Sequence, residues 1–187
     1  MSVGGVVFVI LVFSVILLFI VVPGGYAKRR QRLQERFGPE YDRVVGERQN
    51  RRSAEAELAA RERRIRRLGL RDVGRDAQDK YGAQWTEVQE RFIDDPSGAI
   101  TDAQALVETV MRERGYPVSE YQQTVADLSV GYARTLDHFR AAHAVSERAA
   151  AGNVATEELR IAFLHYRELF SHLLGVATTG GDHVTAA

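Results

Sequence analysis

The apolar positions of this chain form one continuous run at the N-terminus and helix-spaced stripes in the rest. Val3 to Val22 is a run of twenty uncharged residues that is apolar apart from one serine, Ser14. Twenty helical residues span about 30 Å, the thickness of the hydrocarbon core of a bilayer. A buried core helix would carry a polar face, and this run has none. We therefore predict a transmembrane anchor at residues 1–25.

A cleavable signal peptide is the alternative interpretation of the run, because Gly25-Tyr26-Ala27 loosely fits a small-x-small cleavage site. No positive charge precedes the run, however, and the run is longer than the usual apolar core of a signal peptide. A mature chain cleaved there would begin Lys-Arg-Arg. These three features favour an uncleaved anchor.

Beyond the anchor, residues 26–68 have a basic, helical pattern. Gly38-Pro39 interrupts it, because proline cannot continue a helix and fits the first turn of a new one. From there the pattern predicts one helix running to Leu68. Val44, Leu58 and Ile65 share a heptad register, but Arg51 occupies the missing step, so the coiled-coil signal is weak.

Residues 69–75 hold two glycines and are predicted to be a linker, and residues 76–175 read as a four- to five-helix bundle. A stripe at i, i+4, i+7 and i+11 opens the bundle, with Trp85 expected to pack against Phe92 and the last helix. Asp95, which precedes a proline, is predicted to be the N-cap of the second helix of the bundle. Gly115 is predicted to end that helix. The fold class is therefore all-α, with an N-terminal transmembrane helix and a long basic helix before the bundle.

Weaker signals divide the second half of the bundle. Ser119 and Gln122 have the spacing of a capping box, which predicts a helix start there. A break is expected at residues 129–131, and Thr156 is predicted to open the last helix, which Gly175 ends. The remaining residues, 176–187, are predicted to be a disordered tail.

The balance of 25 basic and 25 acidic residues conceals a strong polarity along the chain. Residues 26–75 hold 16 basic and 8 acidic side chains, whereas residues 76–187 hold 9 and 17. Because the basic end adjoins the anchor, anionic headgroups are its nearest partner, and nucleic acid is not expected. The arginines of residues 51–67 read mainly as a solvated or lipid-facing helix surface, with an unknown protein partner or a second copy as alternatives. The residues predicted to contact the membrane surface are Lys28, Arg29, Arg30, Arg32 and Arg36.

The same basic cluster predicts the orientation of the anchor. Only Met1 and Ser2 precede the apolar run, whereas the positive residues follow it. Positively charged flanks stay cytoplasmic. We therefore expect a single pass through the inner (plasma) membrane, with the N-terminus outside and residues 28–187 in the cytoplasm.

No reaction centre emerges from the residue pattern. The chain has no cysteine, which removes thiol catalysis and disulfides, and it contains no phosphate-binding loop or HExxH motif. His165, Glu168 and His172 share a helix face, but two turns, about 10.5 Å, separate the histidines. No cofactor, metal or catalytic residue is therefore predicted. His143 lies on an apolar stripe and is expected to be a hydrogen-bonded core histidine.

Six segments together resemble an uncharacterised family of actinobacterial proteins with one N-terminal membrane segment, an Arg-rich helix and a helical domain. The segments are GPEYDRVV (38–45), RFIDDP (91–96), LVETVMRERGYPV (106–118), ADLSV (126–130), FRAAHAV (139–145) and EELRIAFLHYRELFSHLL (157–174). The resemblance implies an architecture and no activity. Relatives commonly have an acidic-His-Pro step after ADLSV, where this chain has Gly131-Tyr132-Ala133.

These observations lead to one expected function and two alternatives. The expected function is that of a membrane-anchored, non-catalytic interaction or scaffold module of unknown process. An exported or envelope-facing helical domain would follow from a cleaved signal peptide or the reverse topology. A small metal-dependent enzyme would use His165, Glu168 or His172.

Overall fold

The computed structural model describes residues 27–152 and 154–175. Within these residues the chain forms eight helices and no strand, which confirms the all-α prediction. No helix of the described part is long and apolar enough to cross a membrane. The predicted anchor and the predicted tail both lie outside it. The helices are α1 (described over 27–37), α2 (Pro39–Glu47), α3 (Arg51–Leu68), α4 (Arg75–Asp94), α5 (Pro96–Arg114), α6 (Tyr121–Leu128), α7 (Leu136–Ala150) and α8 (Thr156–Leu174).

Gly38 separates α1 from α2. Its φ of 48° lies in the left-handed region, which glycine adopts without steric cost. Its backbone N–H donates to the carbonyl of Gln34 at 2.8 Å and closes the last turn of α1. Pro39 then occupies the first turn of α2, where its missing N–H breaks no helical hydrogen bond.

The prediction of one helix from Pro39 to Leu68 is wrong, because the chain leaves the helical conformation between Glu47 and Arg51. Arg48 ends α2 in an extended conformation, with φ −103° and ψ 151°. Asn50 then caps α3: its side-chain oxygen accepts a 2.9 Å hydrogen bond from the backbone N–H of Ser53. An asparagine at this position satisfies one of the free N–H groups of a helix start, so it favours a new helix over continuation of the old one.

The chain divides into two compact units between Ala59 and Ala60, inside α3. In the first unit, the Tyr41 hydroxyl donates a 3.0 Å hydrogen bond to Glu55, which connects α2 to α3. The buried apolar side chains recur at helical spacing, so each helix of this unit keeps one apolar stripe away from water. They are Leu33, Phe37, Tyr41, Val44, Ala54, Leu58 and Ala59.

The second unit is built around α5, which packs against α4, α7 and α8, while α7 also packs along α8. α5 can take this central place because its apolar residues cover more than one face. Trp85 of α4 stacks on Phe170 of α8, with ring centroids 4.6 Å apart, and also contacts Phe163. The prediction that Trp85 packs on the last helix is therefore confirmed, and Phe92 reaches the same helix by its own contact with Phe163. The fully buried residues of α5 are Ala99, Ile100, Ala103, Val107, Val110 and Met111.

Local signals explain both ends of α5. The Asp95 carboxylate accepts a 2.9 Å hydrogen bond from the N–H of Gly98, as an N-cap does, and this bond lowers the pKa of Asp95, helped by Arg91. Gly115 ends α5 with a φ of 95°. The predicted capping box at Ser119 is wrong: α6 starts after Glu120, with no side-chain cap.

The segment between α3 and α4, which the sequence pattern marks as a linker, is attached to the bundle. The backbone N–H of Arg71 donates to the carbonyl of Arg114 at 3.1 Å, and the Arg71 guanidinium donates to the carbonyl of Glu113 at 2.9 Å. Val73 is buried in the core, and the Gln78 side chain donates to its carbonyl at 2.9 Å. These contacts attach the segment to the bundle through the end of α5 and the start of α4.

Candidate functional site: charged helix faces

The five residues predicted to contact the membrane lie on α1 and are all exposed. At about 100° per residue, four of them fall within roughly 100° of the helix circumference, and the fifth, Arg30, lies outside that arc. Leu33 and Phe37 are fully buried on the same helix. α1 therefore combines an exposed basic face with a buried apolar stripe. The four residues of the basic face are Lys28, Arg29, Arg32 and Arg36.

The arginine-rich end of α3 is not a single solvated face. The Arg64 Nε donates to both carboxylate oxygens of Asp127, at 2.9 and 3.2 Å. Arg61 donates to the Ser129 hydroxyl at 3.2 Å. Two arginines of the run thus attach α3 to the end of α6. The interpretation of the run as a solvated or lipid-facing surface does not account for these two contacts. The other three, Arg63, Arg66 and Arg67, are exposed.

Asp127 is a fully buried carboxylate, and its environment compensates the cost of burial. Besides Arg64, the Gln123 side-chain amide donates to it at 2.9 Å. A buried charge is tolerated when it is paired and its remaining lone pairs are hydrogen-bonded. The Asp127–Arg64 pair is therefore a structural attachment between α3 and α6, formed by residues 63 positions apart in the chain.

A second polar cluster surrounds Arg114 at the C-terminus of α5. Its guanidinium donates to the Tyr132 hydroxyl and to the Leu173 carbonyl, both at 2.8 Å, and to Asp72 at 3.1 Å. Burial raises the pKa of Tyr132 and of Tyr116, which hydrogen-bond to each other. Both phenols therefore stay protonated at neutral pH and act as hydrogen-bonding groups. The cluster joins the end of α8, the turn after α6 and the segment before α4.

The structure brings His165 and Glu168 together with His138 of α7, not with His172. His138 Nδ1 lies 2.7 Å from a Glu168 carboxylate oxygen, and the His138 and His165 rings stack with centroids 4.4 Å apart and planes 3° from parallel. Burial, and then the proximity of His138, lower the pKa of His165. His172 lies elsewhere, with Nδ1 3.4 Å from the Thr135 hydroxyl.

The geometry of these histidines does not match a metal site. A ring nitrogen binds a metal along its lone pair, which lies in the ring plane, and stacked parallel rings do not direct these lone pairs at one point. Within residues 27–152 and 154–175, no three His, Cys, Asp or Glu side chains are placed to hold a metal ion. His143 is mostly buried by a stacking contact with Tyr121, with centroids 4.0 Å apart, and its Nε2 lies 3.6 Å from Glu147.

α4 carries an acidic face that the overall charge count concealed. Its exposed carboxylates fall within about 80° of the helix circumference and extend about 27 Å along the axis. Trp85 and Tyr81 occupy the buried side of the same helix. Spacing at i, i+3 and i+7 in the sequence could have revealed this face. We call it the acidic face; its members are Asp76, Asp79, Glu87, Glu90 and Asp94.

These arrangements are charged helix faces, and none of them holds a nucleophile next to a base. The exposed basic face of α1, the three outward arginines of α3 and the acidic face of α4 are each formed by one helix. Charged helix faces suit contact with headgroups or with another protein. Comparison of the chain with protein-family models, with curated proteins and with solved structures finds no match.

Proposed function

We propose that this chain is a single-pass membrane protein whose helical bundle is a non-catalytic interaction module at the cytoplasmic face of the plasma membrane. The observation that carries the proposal is the exposed basic face of α1, which starts six residues after the apolar run ending at Val22. A helix in this place meets the headgroups as soon as the chain leaves the bilayer. The positive charge of α1 also favours a cytoplasmic location for the residues that follow it in the chain.

The expected membrane contribution of α1 follows from its length and charge. Eleven helical residues extend about 16 Å. Each basic side chain near an anionic surface contributes about 1 kcal/mol, and the attraction fades within a Debye length of about 8 Å. α1 therefore acts as an electrostatic brace if it lies along the surface, whereas residues after Gly38 contribute less. The buried Leu33 and Phe37 show that its apolar side chains are used in packing, so headgroup charge is the main term for lipid binding.

The non-catalytic part of the proposal is supported by the roles that the polar residues already have. Asp127 and Arg114 fasten helices to each other, Asp95 caps α5, and Glu168 binds His138. Exposed charges of α1, α3 and α4 are arranged as helix faces. Such a bundle presents surfaces for recognition, which is the role we assign to it.

The brace is tested with a soluble peptide covering residues 26–68 and vesicles of two compositions. We expect binding to phosphatidylglycerol vesicles, a steep loss of binding with added salt, and little binding to phosphatidylcholine vesicles. Reversing Arg32 and Arg36 to glutamate should weaken binding strongly. The matched control reverses Arg51 and Arg52, which lie beyond α2, and should have a smaller effect. Equal binding to both vesicle types, or equal effects of the two double variants, would contradict the brace.

A further inference from the structure

Three arginines of α3 form an exposed basic surface with no partner in the described part of the chain. Arg63, Arg66 and Arg67 lie within about 100° of the helix circumference. None of them has a carboxylate within 4.0 Å among the described residues, unlike Arg64 on the neighbouring side of the helix. We call these three residues the arginine face.

The acidic face of α4 is similarly unpaired. None of its five carboxylates has an ion-pair partner in residues 27–152 and 154–175, although other carboxylates of the bundle, such as Asp102, do. Arg91 of the same helix is directed instead at Asp95 and Asp102. Five like charges on one helix surface repel one another, and Lys80 of α4 beside them offsets only part of this charge, so solvent or a partner must supply most of the counter-charge.

The two faces form no ion pair with each other in the described part of one copy. The Arg64–Asp127 pair fixes the end of α3 on α6, and the bonds of Arg71 to the end of α5 fix the connection to α4. Both faces consequently stay exposed in the same molecule. Complementary charges that do not pair inside a copy are available to pair between copies.

We propose that the arginine face of one copy binds the acidic face of α4 in a second copy. The contact uses two different surfaces, so each copy keeps one face free, and such heterologous contacts build a ring or an open chain. The net charges of the two parts of the chain favour this contact, because residues 26–75 carry +8 and residues 76–187 carry −8. The acidic face is longer than the arginine face, so three arginines find acceptors along several positions of α4.

The strength of this contact rests on the proposed membrane tethering. Single exposed ion pairs contribute little, so three of them give weak association in dilute solution. Confinement of all copies to one membrane, with one orientation, raises the effective concentration without any new contact. The association is therefore expected mainly at the membrane and is expected to disappear at high salt.

The test uses the full-length chain in phosphatidylcholine vesicles, which offer no anionic headgroup to compete. Because the chain has no cysteine, single cysteines can be placed by Ala60→Cys, beside the arginine face, and Ala83→Cys, within the acidic face. Mixed copies bearing one cysteine each are treated with a short bis-maleimide. We expect crosslinked dimers in the mixture, and about a tenfold lower yield after the three arginines are changed to glutamate.

Charge exchange separates a specific contact from a general charge effect. Changing Asp79, Glu87 and Glu90 to lysine should also abolish the crosslink. Mixing that variant with the arginine-face variant should restore it, since each reversed face then finds an opposite partner. A control chain with Arg134→Glu, Arg160→Glu and Arg167→Glu has the same net charge as the arginine-face variant and should crosslink like the unchanged protein. Circular dichroism checks that every variant keeps its helix content.

Two outcomes would overturn the proposal: a yield that is insensitive to the reversals, or a loss that mixing fails to restore. If the arginine-face variant instead loses binding to anionic vesicles at unchanged crosslinking, the face binds lipid and the proposal is wrong. Flotation of the vesicles reports tethering separately. A chain that does not float contradicts the proposed function, and the mixing experiment at high protein concentration still decides whether the two faces pair.

Discussion

The attachment of α3 to the bundle predicts a large effect for a small change, Asp127→Asn. The substitution keeps the shape of the side chain but removes the charge that Arg64 binds, and it directs an amide N–H towards one of the groups that donate to Asp127. Breaking a fully buried ion pair costs about 3–5 kcal/mol. The Asp127 side chain is 0% exposed but that of Arg64 is 39% exposed, so water recovers part of the loss. We expect the free energy of unfolding to fall by about 1–3 kcal/mol.

The assay is thermal unfolding of the full-length protein in detergent, followed by circular dichroism. For a bundle of this size, the expected loss lowers the melting temperature by about 5–15 °C. Asp79→Asn is the matched control, because it removes the same charge from an exposed position, and it should melt like the unchanged protein. A double-mutant cycle with Arg64→Gln should show coupling between the two sites. An Asp127→Asn protein that melts with the unchanged protein, or a cycle without coupling, would refute the attachment.

Three further predictions concern other parts of the described structure. Trp85→Ala should lower the free energy of unfolding by about 3–5 kcal/mol, because the ring is buried between the aromatic side chains of α8. Ile93→Ala, at an 82% exposed position, should leave the urea midpoint of unfolding unchanged. Equal midpoints for the two variants would mean that the apolar stripe of α4 is on the wrong face. Burial and the nearby His138 lower the pKa of His165 below its ordinary 6.5, so the unfolded chain binds the proton more readily than the folded one. The melting temperature should therefore be highest above pH 6.5 and fall as the pH drops below it. His165→Gln should make the melting temperature less dependent on pH in this range. Asn50→Ala removes the N-cap of α3 and should lower the stability of that helix by about 1 kcal/mol. The measurement is amide hydrogen exchange, which should become faster in the first turn of α3. Unchanged exchange would mean that the cap is dispensable.

The parts of the fold that the sequence predicted are those in which one or two adjacent residues dictate the backbone. Gly38-Pro39 and Asp95-Pro96 force a helix end and a helix start, because left-handed φ, a missing N–H and an N-cap are local requirements. The break before α3 was missed because it contains neither glycine nor proline, although Asn50 was a usable signal. The capping-box prediction at Ser119 is wrong because the spacing of two side chains does not show that the turn between them is helical.

The parts of the site that the sequence could not predict depend on residues far apart in the chain. Nothing in the run of arginines distinguishes Arg64 from the exposed Arg63. Only the hydrogen bonds between Arg64 and Asp127, which is 63 positions away, do so. The contacts of the histidines depend on distant residues in the same way. Spacing along one helix paired His165 with His172, whereas the structure pairs His165 with His138 of a neighbouring helix.

The central claim, a membrane anchor with the helical bundle on the cytoplasmic side, is tested most directly by reporter fusions after Ala187. We expect a fluorescent protein at this position to be bright and alkaline phosphatase there to be inactive, and we expect the fusion to stay in the membrane fraction after carbonate extraction. Mass spectrometry of the purified chain should find residues 1–27 intact. Active phosphatase at Ala187, or a mature chain that begins at Lys28, would contradict the account.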